Sequence, residues 1–162
     1  MARTAGVAFD TKGFDKMIAA LSKERRKPIL KDVMLKGAYI IRGKIREKYK
    51  GLKSNSNLDE AIVVHLYPSH EGAVVRRYYV KGGTARNYEA DNPFLRAYIL
   101  NFIDKGATDR KLKGGGKYPK GTNRGSIPAT RFFRKGYNSG KNRAMREIER
   151  TLLQEIAKQA RK

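Results

Sequence analysis

The amino-acid sequence predicts an α+β domain: two N-terminal helices and a C-terminal helix packed on a small antiparallel sheet, with a long basic loop. Three observations carry that prediction. Apolar residues recur at spacings of three and four between Phe14 and Tyr49, and again between Met145 and Ala160, which is the period of a helix face. Two β-branched runs flank a short turn in the middle of the chain. Between residues 105 and 126 the periodicity lapses into Gly, Lys, Arg, Thr and Asn. At 162 residues the whole chain, 1–162, reads as one domain with a single core, in one layer of helix against one of sheet.

Residues 1–12 form a polar arm of small residues. Phe14, Ile18 and Leu21 then share one face, with Met17 beside them, and this first helix is expected to end in the basic run Lys23-Glu24-Arg25-Arg26-Lys27. Proline is favoured in a first helical turn, so a second helix is expected to start at Pro28. Its stripe is Leu30, Val33, Gly37, Ile41 and Ile45, flanked by Met34, Ala38 and Tyr49. Gly37 reads either as a close helix–sheet approach or as a weak point. Residues 51–57 are loop chemistry. Residues 61–67 and 73–80, around the turn at 68–72, read as an antiparallel hairpin broken by Gly82-Gly83-Thr84. Residues 97–103 are either a third strand or a short buried helix. Residues 127–137 are a short structured stretch, and a last helix is expected from about Lys141, with Met145, Ile148, Leu152, Ile156 and Ala160 on one face.

Charge dominates the composition. Lys and Arg number 37 against 15 Asp and Glu, a net charge of +22. Such a charge opposes compaction by self-repulsion and is relieved beside a polyanion or an acidic protein surface. The plainer reading is a basic surface kept for solubility. High charge on a chain only 40% hydrophobic also marks disorder, but the periodic apolar blocks answer that by supplying a core. Without cysteine there is no disulfide, thiolate zinc site or cysteine nucleophile. The start, Met1 to Val7, holds no apolar run of signal-peptide length, and no segment approaches the roughly 20 apolar residues of a membrane span. A cytoplasm-like compartment is therefore expected.

No residue set nominates itself for catalysis, and no cofactor or metal is expected. Gly114-Gly115-Gly116-Lys117-Tyr118 fails as a phosphate loop, because Lys111 replaces the first glycine and Tyr118 stands where Ser or Thr would hold magnesium. His65 falls in a strand pattern and His70 in the adjoining turn, without partners for a metal. Glu147, Glu149 and Glu155 alternate with Arg143, Arg146, Arg150 and Lys158, which reads as a solvated helix face with ion pairs such as Arg146 with Glu149. The long loop is more suggestive. Arg110, Lys111, Lys113, Lys117, Lys120 and Arg124 are candidates for contact with DNA or a neighbouring subunit, and from Lys105 to Lys135 the only acid is Asp109. Such a loop binds by phosphate neutralisation, without sequence readout, or orders against an adjoining copy. Tyr118, Phe132, Phe133 and Tyr137 offer stacking faces for bases, or simply core.

One further pattern is carried by short elements in a set order. After the helices comes Leu58-Asp59-Glu60-Ala61-Ile62, leading into the hairpin, then Phe102 to Thr108, read as a strand ending in acid-x-Gly-x-Thr. Pro128-Ala129-Thr130-Arg131-Phe132-Phe133-Arg134 and the last helix follow. From about residue 14 onward this order resembles the tail-completion, or head–tail joining, proteins of tailed bacteriophages, with Asp104, Gly106, Thr108, Pro128, Ala129, Phe132 and Phe133 as the family-like positions. In that family the Gly-x-Thr and Pro-Ala elements lie closer together, so the chain between Thr108 and Pro128 reads as an insertion, and Thr130-Arg131 alters the Pro-Ala-Arg-Pro-Phe form. The resemblance implies a non-enzymatic virion protein of the neck. It implies a ring, hexameric or dodecameric, between connector or portal-side proteins and tail proteins, through which DNA passes. The alternative that charge alone supports is a basic nucleic-acid-binding protein of ribosome- or nucleoid-associated type. A remote third is a small toxin or nuclease using His65 or His70.

Overall fold

In the computed structural model, which describes residue 19 and residues 23–52, 57–67, 72–78, 92–108 and 125–161, the long helix α1 (Lys23–Lys50) organises the rest. Its stripe is as the spacing predicts: Leu30, Val33, Met34, Ala38, Ile41, Ile45 and Tyr49 are all buried. Burying each of the larger aliphatic side chains stabilises the fold by about 1.5–3 kcal/mol. The start differs from expectation. The helix does not begin at Pro28 but runs through it from Lys23. A proline so near the start removes one backbone bond, to the carbonyl of Glu24, and the packed stripe from Leu30 onward carries the helix past that loss. The arm at 1–12 and most of the first expected helix lie outside the described residues.

A 3-10 turn (Asn57–Ala61) leads into the hairpin of β1 (Ile62–Tyr67) and β2 (Gly72–Arg77). The strands pair antiparallel, Ile62 opposite Arg77 through Tyr67 opposite Gly72. Because side chains alternate across a strand, this register puts Ile62, Val64, Leu66, Ala73 and Val75 together on the face that joins the core. The residues expected to form the tip, 68–71, lie outside the described residues, as do 79–80.

The ambiguous segment at 97–103 is helical. A short helix α2 (Pro93–Arg96) precedes it and, after a turn at 97–98, α3 (Ile99–Lys105) fills the rest, so the strand that the family-like pattern placed before acid-x-Gly-x-Thr is a helix here. Asn92 caps α2, its side chain accepting from the Phe94 amide at 2.9 Å, and Ala97 and Leu100 are buried.

Helix α4 (Phe132–Ala160) starts nine residues before the expected Lys141 and absorbs part of the "short structured stretch". After the buried Phe132 its next inward positions, 136 and 140, are glycines, which are poor helix formers, and that obscured the pattern. Those glycines have a use. α4 lies antiparallel on α1, and a Cβ on Gly136 would sit 2.5 Å from the Cα of Ile45, with Gly140 next to Ile41 and Lys44 one turn on. At the other end of the crossing a Cβ on Gly37 would meet the Ile148 side chain at 2.5 Å. Gly37 therefore marks a close approach, to a helix rather than to the sheet. The buried row of α4 continues through Ala144, Ile148 and Leu152, and Met145 and Ile156 are half-buried at its margin. Thus α1 lies between the hairpin on one side and α4 on the other.

Candidate functional site

The family-like residues converge on one junction, where α3 ends and α4 begins. A helix leaves its last carbonyls and first amides without internal partners, and here each helix end supplies the other's. Gly106 N donates to Phe102 O at 2.8 Å. The Ile103 carbonyl accepts from Thr130 Oγ1 at 2.7 Å and Thr130 N at 3.1 Å, and Asp104 O accepts from Arg131 N at 2.9 Å. In return, Asp104 Oδ1 accepts from the Phe133 amide at 3.0 Å. Arg131, which stands at the cap position of α4, makes no side-chain cap and has φ 53, in the left-handed region. The cap is thus a carboxylate brought from the preceding helix. Its negative charge also suits the positive end of the helix dipole.

Gly106 makes the junction possible. With φ 75 and ψ 175 it occupies a region essentially reserved for glycine, and a Cβ would lie 2.7 Å from the Ile127 carbonyl and 2.8 Å from the Ala129 amide. An isolated antiparallel bridge between Ala107 and Ile127 closes the junction, with paired bonds of 2.9 and 2.8 Å. Phe132 is buried with its ring 5.4 Å from that of Tyr49, and Phe133 stacks beside it at 4.9 Å, so both aromatics serve the core rather than a base. Thr108, Pro128 and Ala129 are exposed around the bridge. The hydroxyl that works here is Thr130, at a position the sequence pattern treated as a spacer.

Two groups that sequence reasoning did not single out complete the polar interior. Arg77 of β2 holds its guanidinium 5.2 Å from the Phe133 ring centroid. Burial pushes its pKa below the ordinary value, and the Asp104 carboxylate opposes part of that shift. On α1, Arg42 Nε donates to the Ile62 carbonyl at 2.8 Å and Arg46 Nη2 to the Glu60 carbonyl at 3.2 Å, fixing the lead-in to β1. There Asp59 is buried, with Lys50 Nζ at 3.4 Å. Burial, and then the charge of Arg42, lower the Arg46 pKa, against Asp59 and Glu60, which raise it. Each is an arginine inside a strand or helix pattern, and the only signal for them in the sequence was charge at a position adjoining the apolar stripe.

The candidate contacts Arg110, Lys111, Lys113, Lys117, Lys120 and Arg124 lie outside the described residues, as does His70. His65 is half-buried in β1, its Nδ1 3.2 Å from Arg76 Nη2 and its ring edge-on to Tyr67 at 4.9 Å. An open groove of about 700 Å³ runs beside the junction, between Phe102 and Lys105 of α3 and Ser126 to Ala129. Among the described residues no helix is long and apolar enough to cross a membrane.

Cations are more numerous on α1, but the longest acid-free run among the described residues is the one at the start of α4. Arg131, Arg134, Lys135, Lys141, Arg143 and Arg146 are all exposed, with no Asp or Glu from residue 131 to 146. The expected pair of Arg146 with Glu149 is not formed. Glu147 pairs instead with Arg150 at 2.8 Å and Glu155 with Lys158 at 2.6 Å. In both the acid precedes the cation along the helix, the order that the helix dipole favours.

Compared with known proteins, the chain matches no protein family, no curated protein and no solved structure.

Proposed function

We propose that the chain is a structural subunit of a phage neck, a ring-forming protein that joins the head connector to the tail around the DNA channel and acts by binding rather than catalysis. What supports this is the bonding of the two elements that carry the resemblance. Asp104 to Gly106 and Thr130 to Phe133 form one reciprocal cap, so the pattern corresponds to a physical unit that sets the direction in which α4 leaves the domain. In a closed ring each subunit presents two different patches to its neighbours, and a small core with one strongly basic helix face has the surface for that geometry. The virion head–tail junction is the corresponding location, and connector and tail proteins are the corresponding partners.

The test is assembly. Purified protein imaged in negative stain is expected to form rings, and tagged protein expressed during infection is expected to copurify with virions. A strictly monomeric protein absent from purified particles sinks the reading. The second reading, a basic nucleic-acid-binding protein, is favoured by the acid-free start of α4. It predicts tight, salt-sensitive binding by the isolated monomer.

A further inference from the structure

The cations at the start of α4 are placed where the helix itself gains nothing from them. Positive charge is unfavourable at a helix N-terminus, yet Arg131, Arg134 and Lys135 cluster there and no acid occupies the first turn. Arg131 and Lys135 are four residues apart, and Arg131 with Arg134 and Arg143 with Arg146 are three apart; like charges at such spacings repel. None of the six cations forms an ion pair with a described residue. Independently, Arg131 sits at φ 53, a conformation that glycine adopts without strain. The chain therefore keeps an arginine at a strained position and a run of cations at the wrong end of a helix. Such local conflicts mark positions held for something other than folding.

The face also says which kind of polyanion it suits. Protein interfaces are anchored by exposed aromatic or large apolar side chains. Among the described residues the exposed large apolar ones are Tyr39, Leu52, Tyr78, Phe102 and Leu153, and none lies between residues 131 and 146. Between the cations stand Asn138, Ser139 and Asn142, all exposed, which are hydrogen-bonding side chains of the kind that contact phosphate and sugar. The cations extend for on the order of 20 Å along the helix and wrap about half of its circumference, with Arg131, Arg134, Lys135 and Arg146 at the centre and Lys141 and Arg143 on the two flanks. Over that length duplex DNA offers a charge every ~1.7 Å.

We propose that the outer face of α4 from Arg131 to Arg146 is a binding surface for the phosphate backbone of duplex DNA. The choice of DNA as the polyanion rests on the neck reading; the presence of a polyanion-binding face on α4 rests on the geometry above. Binding is by charge neutralisation, indifferent to base sequence and steeply dependent on salt.

The experiment uses the full chain and a short labelled duplex of mixed sequence, titrated from about 50 to 200 mM salt. If all six cations meet phosphates, log affinity falls against log salt with a slope of about −5, from about 0.9 per contact. The combined variant Arg134→Gln, Lys135→Gln, Arg143→Gln and Arg146→Gln is expected to reduce that slope to about −2 and to weaken binding on the order of a hundredfold at low salt. Its circular dichroism and ring formation should match the parent. The matching variant of the inserted segment, Lys111→Gln, Lys113→Gln and Lys117→Gln, is the control. Wild-type slope and affinity in the α4 variant overturn the proposal, whether or not the control loses binding. So does an α4 variant that still binds DNA but no longer assembles, which makes the face a subunit contact. Arg131→Gly supplies a second check: it is expected to lower the slope by about one while raising the denaturation midpoint. If the parent never forms rings but binds DNA, and the α4 variant loses that binding, the neck reading fails and the α4 surface stands.

Discussion

The two halves of α4 pack on the same partner yet are built by different rules. The second half follows ordinary helix chemistry: large inward side chains at Ile148 and Leu152, and acids paired with the cations that follow them. The first half departs from it inside and out. Inside, Gly136 and Gly140 take the place of apolar side chains, at a cost of about 1 kcal/mol each relative to alanine. Outside, six cations stand with no Asp or Glu between residues 131 and 146 and no ion pair among the described residues. The comparison separates two kinds of departure. The glycines are compensated within the molecule, by the backbone of α1 lying against them. The cations have no such compensation among the described residues, and that is why we assign them to a partner.

The sharpest way to break that comparison is to fill the inner face. Gly136→Ala would force a Cβ onto the α1 backbone, and a loss of about 2–3 kcal/mol is expected by urea denaturation. A neutral result would mean the helices are free to part and that the glycines are mere weak points. Next is the cap that orients the first half. Asp104→Ala removes the acceptor for the Phe133 amide and the charge beside Arg77, and about 1–2 kcal/mol should be lost, with much of it recovered in Asp104→Asn, which keeps an acceptor oxygen. If Asn recovers nothing, the carboxylate acts through Arg77 rather than as a cap.

A smaller effect, of opposite sign, comes from the glycine of α1 that faces nothing. Gly43 is exposed and a Cβ there would have no atom within 4 Å, so Gly43→Ala should stabilise by about 0.5–1 kcal/mol. Stabilisation at 43 beside destabilisation at 136 would sort the glycines by what they face. The smallest effect belongs to the second half. The hydrogen bond from Arg150, with that residue's charge, holds the Glu147 carboxyl below the ordinary glutamate value. Its contribution is present above the unfolded-state pKa and is lost as pH falls through the lower folded value. Nuclear magnetic resonance titration of the Glu147 side chain should show that depressed midpoint, and Arg150→Gln should move it back up. An unmoved midpoint would leave the pair without energetic meaning.

How far the sequence foretold this depends on what each element relies on. The α1 stripe and the hairpin were legible because apolar periodicity and β-branched runs report burial directly. The helix at 99–105 was not, since a run that short fits either period until its neighbours are known. The start of α4 was hidden because a glycine that is favourable only through a distant backbone carries the same local signal as a helix breaker. Arg77 was invisible for a related reason: its place beneath Phe133 exists only once β2 and α4 meet. The order of motif elements could be read from sequence, but that they cap one another could not.

The Ala107–Ile127 bridge has a bearing on how this chain varies. It ties the two ends of the intervening segment together with a pair of backbone hydrogen bonds, on the domain side of whatever runs between them. Chain length beyond a closed gate of that kind is nearly independent of the fold: each doubling adds only about 0.6 kcal/mol of closure entropy. The bridge therefore makes this position a natural graft point. Residues can be added, removed or exchanged for a foreign sequence there while the junction of α3 and α4 keeps its geometry.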